Sequence, residues 1–171
     1  MIKRIAVIGP ESSGKTTISK FIKLEFGAKY IAEYAREYLM NLDDYSNYSV
    51  DDLVIIAKKQ FYYCNKNANI EMIVCDTEIL TIKIWAEDKF AYCPEEIDKL
   101  FQLQEFDLYI LCKPDIEWEP DPLREDKDRR DVIYEKYKLY CVKNKMNYVE
   151  IEGDIRKREE KVKKMLIELN Y

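Results

Sequence analysis

The chain has 171 residues, the length of one globular domain, and 47% of them are hydrophobic, which is enough to build a core. Because it contains no histidine, it can form neither a Ser-His-Asp triad nor a histidine-ligated metal site. Its net charge of −5 argues against a general nucleic-acid-binding surface, and no apolar run is long enough for a membrane span or a secretory signal. We expect one cytoplasmic domain, residues 1–171, that binds neither nucleic acid nor membrane.

Short apolar runs alternate with amphipathic segments along the whole chain. The runs predict strands at residues 5–8, 30–32, 72–75, 108–112 and 148–151. Helical spacing predicts helices at residues 15–26, 50–68, 78–89, 94–105 and 130–145 and after Gly153-Asp154. The first and last helices should turn these side chains inward: Ile18, Phe21, Ile22, Leu24, Val162, Met165, Leu166 and Leu169. The alternation predicts a three-layer α/β/α fold with a parallel sheet of about five strands.

Residues 9–16 read GPESSGKT, which satisfies the pattern G-x-x-x-x-G-K-[ST] between a predicted strand and a predicted helix. In such a P-loop the glycines let successive backbone N–H groups face phosphate oxygens, next to the positive end of a helix. Lys15 would reach the β- and γ-phosphates and Thr16 would bind Mg²⁺. The alternative to a phosphate-binding loop is a glycine-containing turn whose only role is to begin a helix. We expect ATP to bind at Gly9, Pro10, Glu11, Ser12, Ser13, Gly14, Lys15, Thr16 and Thr17.

Two more candidates follow predicted strands and should therefore lie at the same edge of the sheet as the P-loop. Asp76 ends the third strand and is expected to bind Mg²⁺, to cap the next helix, or to do both. Glu33 follows the second strand and could orient or deprotonate an acceptor hydroxyl; the alternative is a surface ion pair.

A loop-like segment at about residues 113–131 carries three prolines and many charges. It contains Arg124, Arg129 and Arg130, which suggests a kinase lid that clamps the transferred phosphoryl group. The alternative is a solvated loop whose aspartates pair with these arginines. Trp118 in the same segment either stacks on a planar ligand or anchors in the core, and Phe61 either extends such an aromatic wall or packs in the core.

In chain order, the blocks GPESSGKTT, EYAREYL, CDTEILT and DLYILCKPDIEWEPDPLR resemble the ribosylnicotinamide kinase domain of the NadR family over nearly the whole chain. The resemblance implies Mg²⁺-dependent transfer of phosphate from ATP to the ribose 5′-hydroxyl of nicotinamide riboside, giving nicotinamide mononucleotide for NAD salvage. It assigns Lys15, Thr16 and Asp76 to ATP and Mg²⁺. Around the riboside and the lid it assigns Glu33, Tyr34, Arg36, Asp76, Trp118, Asp121 and Arg124.

The sequence departs from that family and leaves alternatives open. Pro122 stands where the family often has a glycine. Family members often carry an adenylyltransferase domain, and sometimes a DNA-binding domain, ahead of the kinase, and we expect this chain to lack both activities. The residues also fit a kinase for another nucleoside or small molecule, or a nucleotide-dependent regulatory ATPase. Whether the chain forms a homo-oligomer is open as well.

Overall fold

The computed structural model describes residues 3–66 and 72–169. Its strands are β1 (Arg4–Ile8), β2 (Lys29–Ile31), β3 (Ile73–Asp76), β4 (Leu108–Cys112) and β5 (Tyr148–Ile151). They form one sheet in the order β2-β3-β1-β4-β5, and every neighbouring pair is parallel. The predicted α/β fold with a five-stranded parallel sheet is confirmed.

The helices are α1 (Lys15–Phe26), α2 (Tyr34–Met40), α3 (Val50–Asn65), α4 (Ile79–Phe90), α5 (Glu95–Leu103), α6 (Arg130–Lys143) and α7 (Ile155–Glu168). The short helix α2 was not predicted, because seven residues are too few to show a helical period. The helix predicted over residues 50–68 corresponds to α3, and its predicted end at residue 68 lies outside the described residues. No helix in the described ranges has the length and apolar character needed to cross a membrane.

The sheet is covered on both faces, as its almost continuously apolar central strands require. On one face Ile18 and Ile22 of α1 pack with Val162 and Leu166 of α7. Helices α2 to α5 pack together in a second apolar cluster. Helices α4 and α6 form a third cluster with β1 and β4. The layered arrangement brings the carboxyl ends of all five strands, and the loops that follow them, to one edge.

Two of the side chains expected to face the core are exposed instead. Leu24 is 82% exposed, because two residues beyond Ile22 a helical position has turned by about 200°. Leu169 is 44% exposed, because it is the C-cap residue of α7 and lies beyond the last turn that packs on the sheet. The loop-like segment predicted at about residues 113–131 ends where α6 begins, at Arg130, which is also the predicted start of that helix.

Glu78 is the N-cap residue of α4 and is fully buried, two residues after β3 ends at the carboxyl edge of the sheet. Its carboxylate accepts a hydrogen bond from the backbone N–H of Leu80 at 2.7 Å and therefore caps the helix. The side-chain amide of Gln104 donates to the same oxygen. Burial nevertheless raises the pKa of Glu78 to about 7, because the ionised form loses most of its hydration.

This raised pKa predicts a pH-dependent stability. The folded chain holds the Glu78 proton more tightly than the unfolded chain, where the pKa is near 4.5, so folding stability falls as pH rises between these two values. Glu78→Gln keeps an acceptor oxygen and cannot ionise. We expect its unfolding free energy to rise relative to wild type from about pH 5 to about pH 8, by up to about 3 kcal/mol. Urea unfolding across this range measures the difference, and a constant difference would contradict the assignment.

Candidate active site

A cleft of about 650 Å³ opens at the carboxyl edge of the sheet. Its lining comes from the loop between β1 and α1, from α1 itself, from β2 and β3 and the residues that follow β2, and from α2, α4 and α6. Residues 113–129, here called the β4–α6 segment, complete it. The cleft brings together the whole predicted P-loop, residues 9–17, with the side chains of Glu33, Arg36, Asp76 and Arg124. It is within the size range of small-molecule sites.

Two glycines shape the P-loop. Gly9 has φ +138°, and a Cβ atom there would lie 2.6 Å from the backbone oxygen of Cys112, so no other residue fits beside β4. Gly14 has φ +84° and is the N-cap of α1, where no side chain caps the helix. The first N–H groups of α1 therefore face the cleft without a side-chain acceptor, which is the arrangement that binds an anion. The ammonium of Lys15 donates to the carbonyl of Pro10 at 2.7 Å.

Asp76 lies at the end of β3, 2% exposed, and borders the cleft. Its Oδ2 accepts hydrogen bonds from the Thr16 hydroxyl at 2.6 Å and from the Tyr30 hydroxyl at 2.9 Å. Its Oδ1 is buried without a hydrogen-bond partner, a costly state for a carboxylate oxygen. These hard oxygen donors fit Mg²⁺. Within residues 3–66 and 72–169 no group of three or more Cys, Asp or Glu side chains could hold a metal, so such an ion would need water or phosphate ligands as well.

Glu33 also borders the cleft and is the N-cap residue of α2, but its side chain does not cap the helix. Burial is the main reason why its pKa is raised, while the nearby charge of Lys15 acts in the opposite direction. In the described part of the chain Arg36 forms its ion pair with Asp121, at 3.0 Å, and not with Glu33. The Glu33 carboxylate thus faces the cleft without the ion pair that the alternative interpretation required.

Side chains of the P-loop hold the β4–α6 segment over the cleft. One oxygen of Glu11 accepts hydrogen bonds from the backbone N–H groups of Glu125 and Asp126, at 3.0 and 3.2 Å. The hydroxyl of Ser12 accepts one from the N–H of Glu119, at 2.9 Å. Burial raises the pKa of Glu11. Two of the four variable positions of the P-loop motif, Glu11 and Ser12, therefore hold the segment that crosses above it.

The three arginines predicted to form a lid have different surroundings. Arg124 lines the cleft and donates to a backbone carbonyl of its own segment. Arg129 donates through Nη2 to both carboxylate oxygens of Asp88, at 2.7 and 2.8 Å, and through Nη1 to Asp126. Arg130 donates to two backbone carbonyls, one of them in the P-loop, both at 3.1 Å. Only Arg124 of the three lines the cleft.

The aromatic candidates lie outside the lining of the cleft. Trp118 is half-buried, and the guanidinium groups of Arg124 and Arg130 lie 5.9 and 5.6 Å from its ring centroid, within cation–π range. Tyr34 and Phe61 pack against the apolar cluster of α2 to α5. The structure thus brings Trp118 into contact with the arginines of its own region.

Arg158 on α7 was not singled out from the sequence, although it is fully buried next to the P-loop. It donates to the backbone carbonyls of Ser13 at 2.6 Å, Gly153 at 2.7 Å and Lys113 at 2.8 Å, and it forms an ion pair with Asp115. A signal was present: Arg158 precedes Val162 by four residues and so lies on the inward side of the predicted helix. Trp85 of α4, which lines the cleft, was missed as well.

The contacts of Glu11 yield a prediction for the β4–α6 segment. Glu11→Ala removes the acceptor of the Glu125 and Asp126 amides, so we expect both amides to exchange with solvent about tenfold faster in the absence of any ligand. Glu11→Gln is the matched control, because its carboxamide oxygen can accept both bonds. Hydrogen exchange followed by NMR measures the rates. Equal protection in Glu11→Ala and wild type would contradict the role of Glu11.

Comparisons with known proteins agree with this geometry. The family model for the AAA domain matches residues 4–158. A crystal structure of NadR protein in complex with NR aligns with a TM-score of 0.72 and 25% identity, over 90% of this chain and 47% of that chain. NadR protein in complex with NAD and AMP-PNP aligns with a TM-score of 0.67 and 22% identity, over 93% of this chain and 47% of that chain. This chain therefore spans about half the length of those NadR chains.

A deoxyadenosine kinase from M. mycoides with bound dATP aligns with a TM-score of 0.68 and 16% identity, over 98% of this chain and all of that chain (100%). At that identity the match shows a shared fold. The NadR match at 25% identity supports the resemblance inferred from the sequence blocks. Because the family model extends from β1 into α7 and so covers most of the chain, the protein belongs to the AAA domain family.

Proposed function

We propose that this protein is an ATP- and Mg²⁺-dependent P-loop kinase that phosphorylates the ribose 5′-hydroxyl of nicotinamide riboside to give nicotinamide mononucleotide. One observation carries the proposal: the uncapped N-terminus of α1, the buried Asp76 and the half-buried Glu33 meet in one cleft. The N-terminus of α1 suits phosphate groups, and the Asp76 carboxylate suits a hard cation. The Glu33 carboxylate suits an acceptor hydroxyl. The match to NadR in complex with NR supports this choice of acceptor.

The donor side of the cleft would bind the phosphates of ATP. The N–H groups of residues 12–16 and the ammonium of Lys15 supply donors and positive charge there. Thr16 and Asp76 would hold Mg²⁺, and the unpartnered Oδ1 of Asp76 gives the ion a free ligand atom. The bound ion would neutralise charge on the phosphate oxygens.

On the acceptor side, Glu33 would orient the 5′-hydroxyl and take its proton. The hydroxyl oxygen forms a bond to the γ-phosphorus, the bond from that phosphorus to the β,γ-bridging oxygen breaks, and ADP leaves. The raised pKa of Glu33 suits a group that must hold a proton during this step. The β4–α6 segment would act as a lid, in which Arg124 neutralises charge on the transferred group.

The direct test is ADP release in a coupled assay with Mg-ATP, comparing nicotinamide riboside, nicotinic acid riboside, common nucleosides and no acceptor. We expect release above background with nicotinamide riboside. Release with another nucleoside alone would keep the kinase and change its substrate. Slow hydrolysis that no acceptor accelerates would favour a regulatory ATPase and contradict the proposal.

The role of the P-loop is tested by Lys15→Ala. The ammonium of Lys15 contacts only a backbone carbonyl in the described structure, so its loss should leave the fold and the thermal midpoint nearly unchanged. We expect turnover to fall by about 1000-fold or more, since the charge on the transferred phosphate would lose its main protein partner. Lys23→Ala, an exposed position on α1 that does not line the cleft, is the matched control and should keep wild-type turnover. Near-normal turnover of Lys15→Ala would contradict the proposal.

A further inference from the structure

The two tryptophans of this chain, at positions 85 and 118, differ in their position relative to the cleft. Trp118 does not line the cleft and contacts two arginines. Trp85 lines the cleft, together with Thr81, Ile84 and Asp88 of the same helix. Their spacing of three to four residues puts all four on one side of α4. The cleft therefore has an aromatic side chain on its α4 side, and that side chain is Trp85.

The indole of Trp85 is held from behind by Tyr48. Its N–H donates to the Tyr48 hydroxyl at 2.6 Å, and the two rings meet edge to face with centroids 5.0 Å apart. Tyr48 is itself buried, with Phe90 and the Lys89 ammonium against its ring. Because its polar edge is already satisfied inside the protein, Trp85 offers the cleft apolar ring surface in a fixed orientation.

The position of Trp85 suits the far end of a nucleoside. Asp76 ends β3, α4 starts at Ile79, and Trp85 lies six residues along it, about 9 Å from that start. This distance is comparable to the length of a nucleoside whose 5′-hydroxyl lies near Asp76. One turn before Trp85, the buried hydroxyl of Thr81 also borders the cleft, close to the side chain of Tyr137. A hydroxyl at this position can bond to a polar group of a ligand lying along α4.

The other side chains around this end of the cleft are not flat. Ala35 and Leu39 of α2 and Leu123 of the β4–α6 segment are aliphatic. The remaining aromatic lining residues lie elsewhere: Tyr30 is at the Asp76 end, where its hydroxyl donates to Asp76, and Tyr137 is buried in the apolar cluster under α6. Among the described lining residues, Trp85 is thus the one ring against which a planar group can lie.

We propose, resting on the kinase function proposed above, that Trp85 is the specificity-determining residue for the base of the acceptor, which stacks on its indole. An electron-rich indole face binds a flat ring and binds a positively charged ring more strongly. The pyridinium ring of nicotinamide riboside has both properties. Trp85 therefore favours this acceptor over nucleosides with neutral bases, and ATP binding does not depend on it.

Fluorescence tests this assignment without any turnover. Trp118→Phe leaves Trp85 as the sole tryptophan, and Trp85→Phe leaves Trp118. We expect nicotinamide riboside, added without ATP, to quench the emission of Trp118→Phe in a saturable manner, while ribose alone does not. Trp85→Phe should show no comparable change. Saturable quenching in Trp85→Phe together with none in Trp118→Phe would overturn the inference.

Steady-state kinetics give a second, independent measurement. Trp85→Leu keeps apolar bulk and removes the aromatic face, so we expect the KM for nicotinamide riboside to rise about tenfold, with the KM for ATP within about twofold of wild type. The KM of Trp85→Phe for nicotinamide riboside should lie between the values of wild type and Trp85→Leu. Tyr48→Phe is the structural control, because it removes only the hydroxyl behind the indole. Equal rises in both KM values would assign Trp85 a purely structural role and overturn the inference.

The two proposals fail in distinguishable ways. If no nucleoside is phosphorylated but nicotinamide riboside still quenches Trp85, the kinase proposal fails and the binding inference stands. If nicotinamide riboside is phosphorylated with an unchanged KM in Trp85→Leu and without quenching of Trp85, the kinase stands and the inference fails. If Trp85→Leu does not fold, the fluorescence titration of Trp118→Phe with nicotinamide riboside and the KM values of Trp85→Phe still test the inference.

Discussion

The cleft depends on one buried cation, the guanidinium of Arg158. A buried charge is tolerated only when it is paired and fully hydrogen-bonded. Arg158 meets this requirement with Asp115 and with backbone carbonyls of the P-loop, of the end of β4 and of the turn before α7. These three segments lie far apart in sequence, yet none can move without leaving part of that charge unpaired. The backbone that would face phosphate is therefore positioned by contacts within the protein itself.

The same preorganisation extends across the P-loop to the segment above it. Glu11 and Ser12 accept backbone N–H groups of the β4–α6 segment, and Arg130 donates back to the P-loop carbonyl of Ser12. Arg36 of α2 reaches the segment from the other side through Asp121. In the kinase proposed above, a segment held in this way would place Arg124 at the cleft through contacts within the protein, so little reorganisation would be needed during the chemical step.

The sequence predicted what is encoded locally. Apolar runs identified all five strands, and the P-loop motif placed residues 9–17 at the cleft, because both signals lie within a few consecutive residues. The pair of Arg129 with Asp126 is one that the alternative interpretation of the segment offered. The pair of Arg129 with Asp88, and the contacts of Glu11 with the β4–α6 segment, could not be predicted, because they join positions that only the fold brings together. Glu11 and Asp126, for example, are 115 residues apart. Trp85 was hidden for another reason: on an apolar helix, a residue facing a cleft and one facing the core have the same spacing.

An acidic chain can bind a polyphosphate only if its cations are locally uncompensated. The arginines near the cleft, together with Lys15, fall into two groups. Arg36, Arg129 and Arg158 each pair with a carboxylate, so their charges are largely neutralised where they are. In the described structure Lys15, Arg124 and Arg130 instead donate to backbone carbonyls, which carry no net charge. Of these three, Lys15 and Arg124 line the cleft, one in the P-loop and one in the segment above it, so their positive potential is available to an anion such as the phosphate of the proposed reaction.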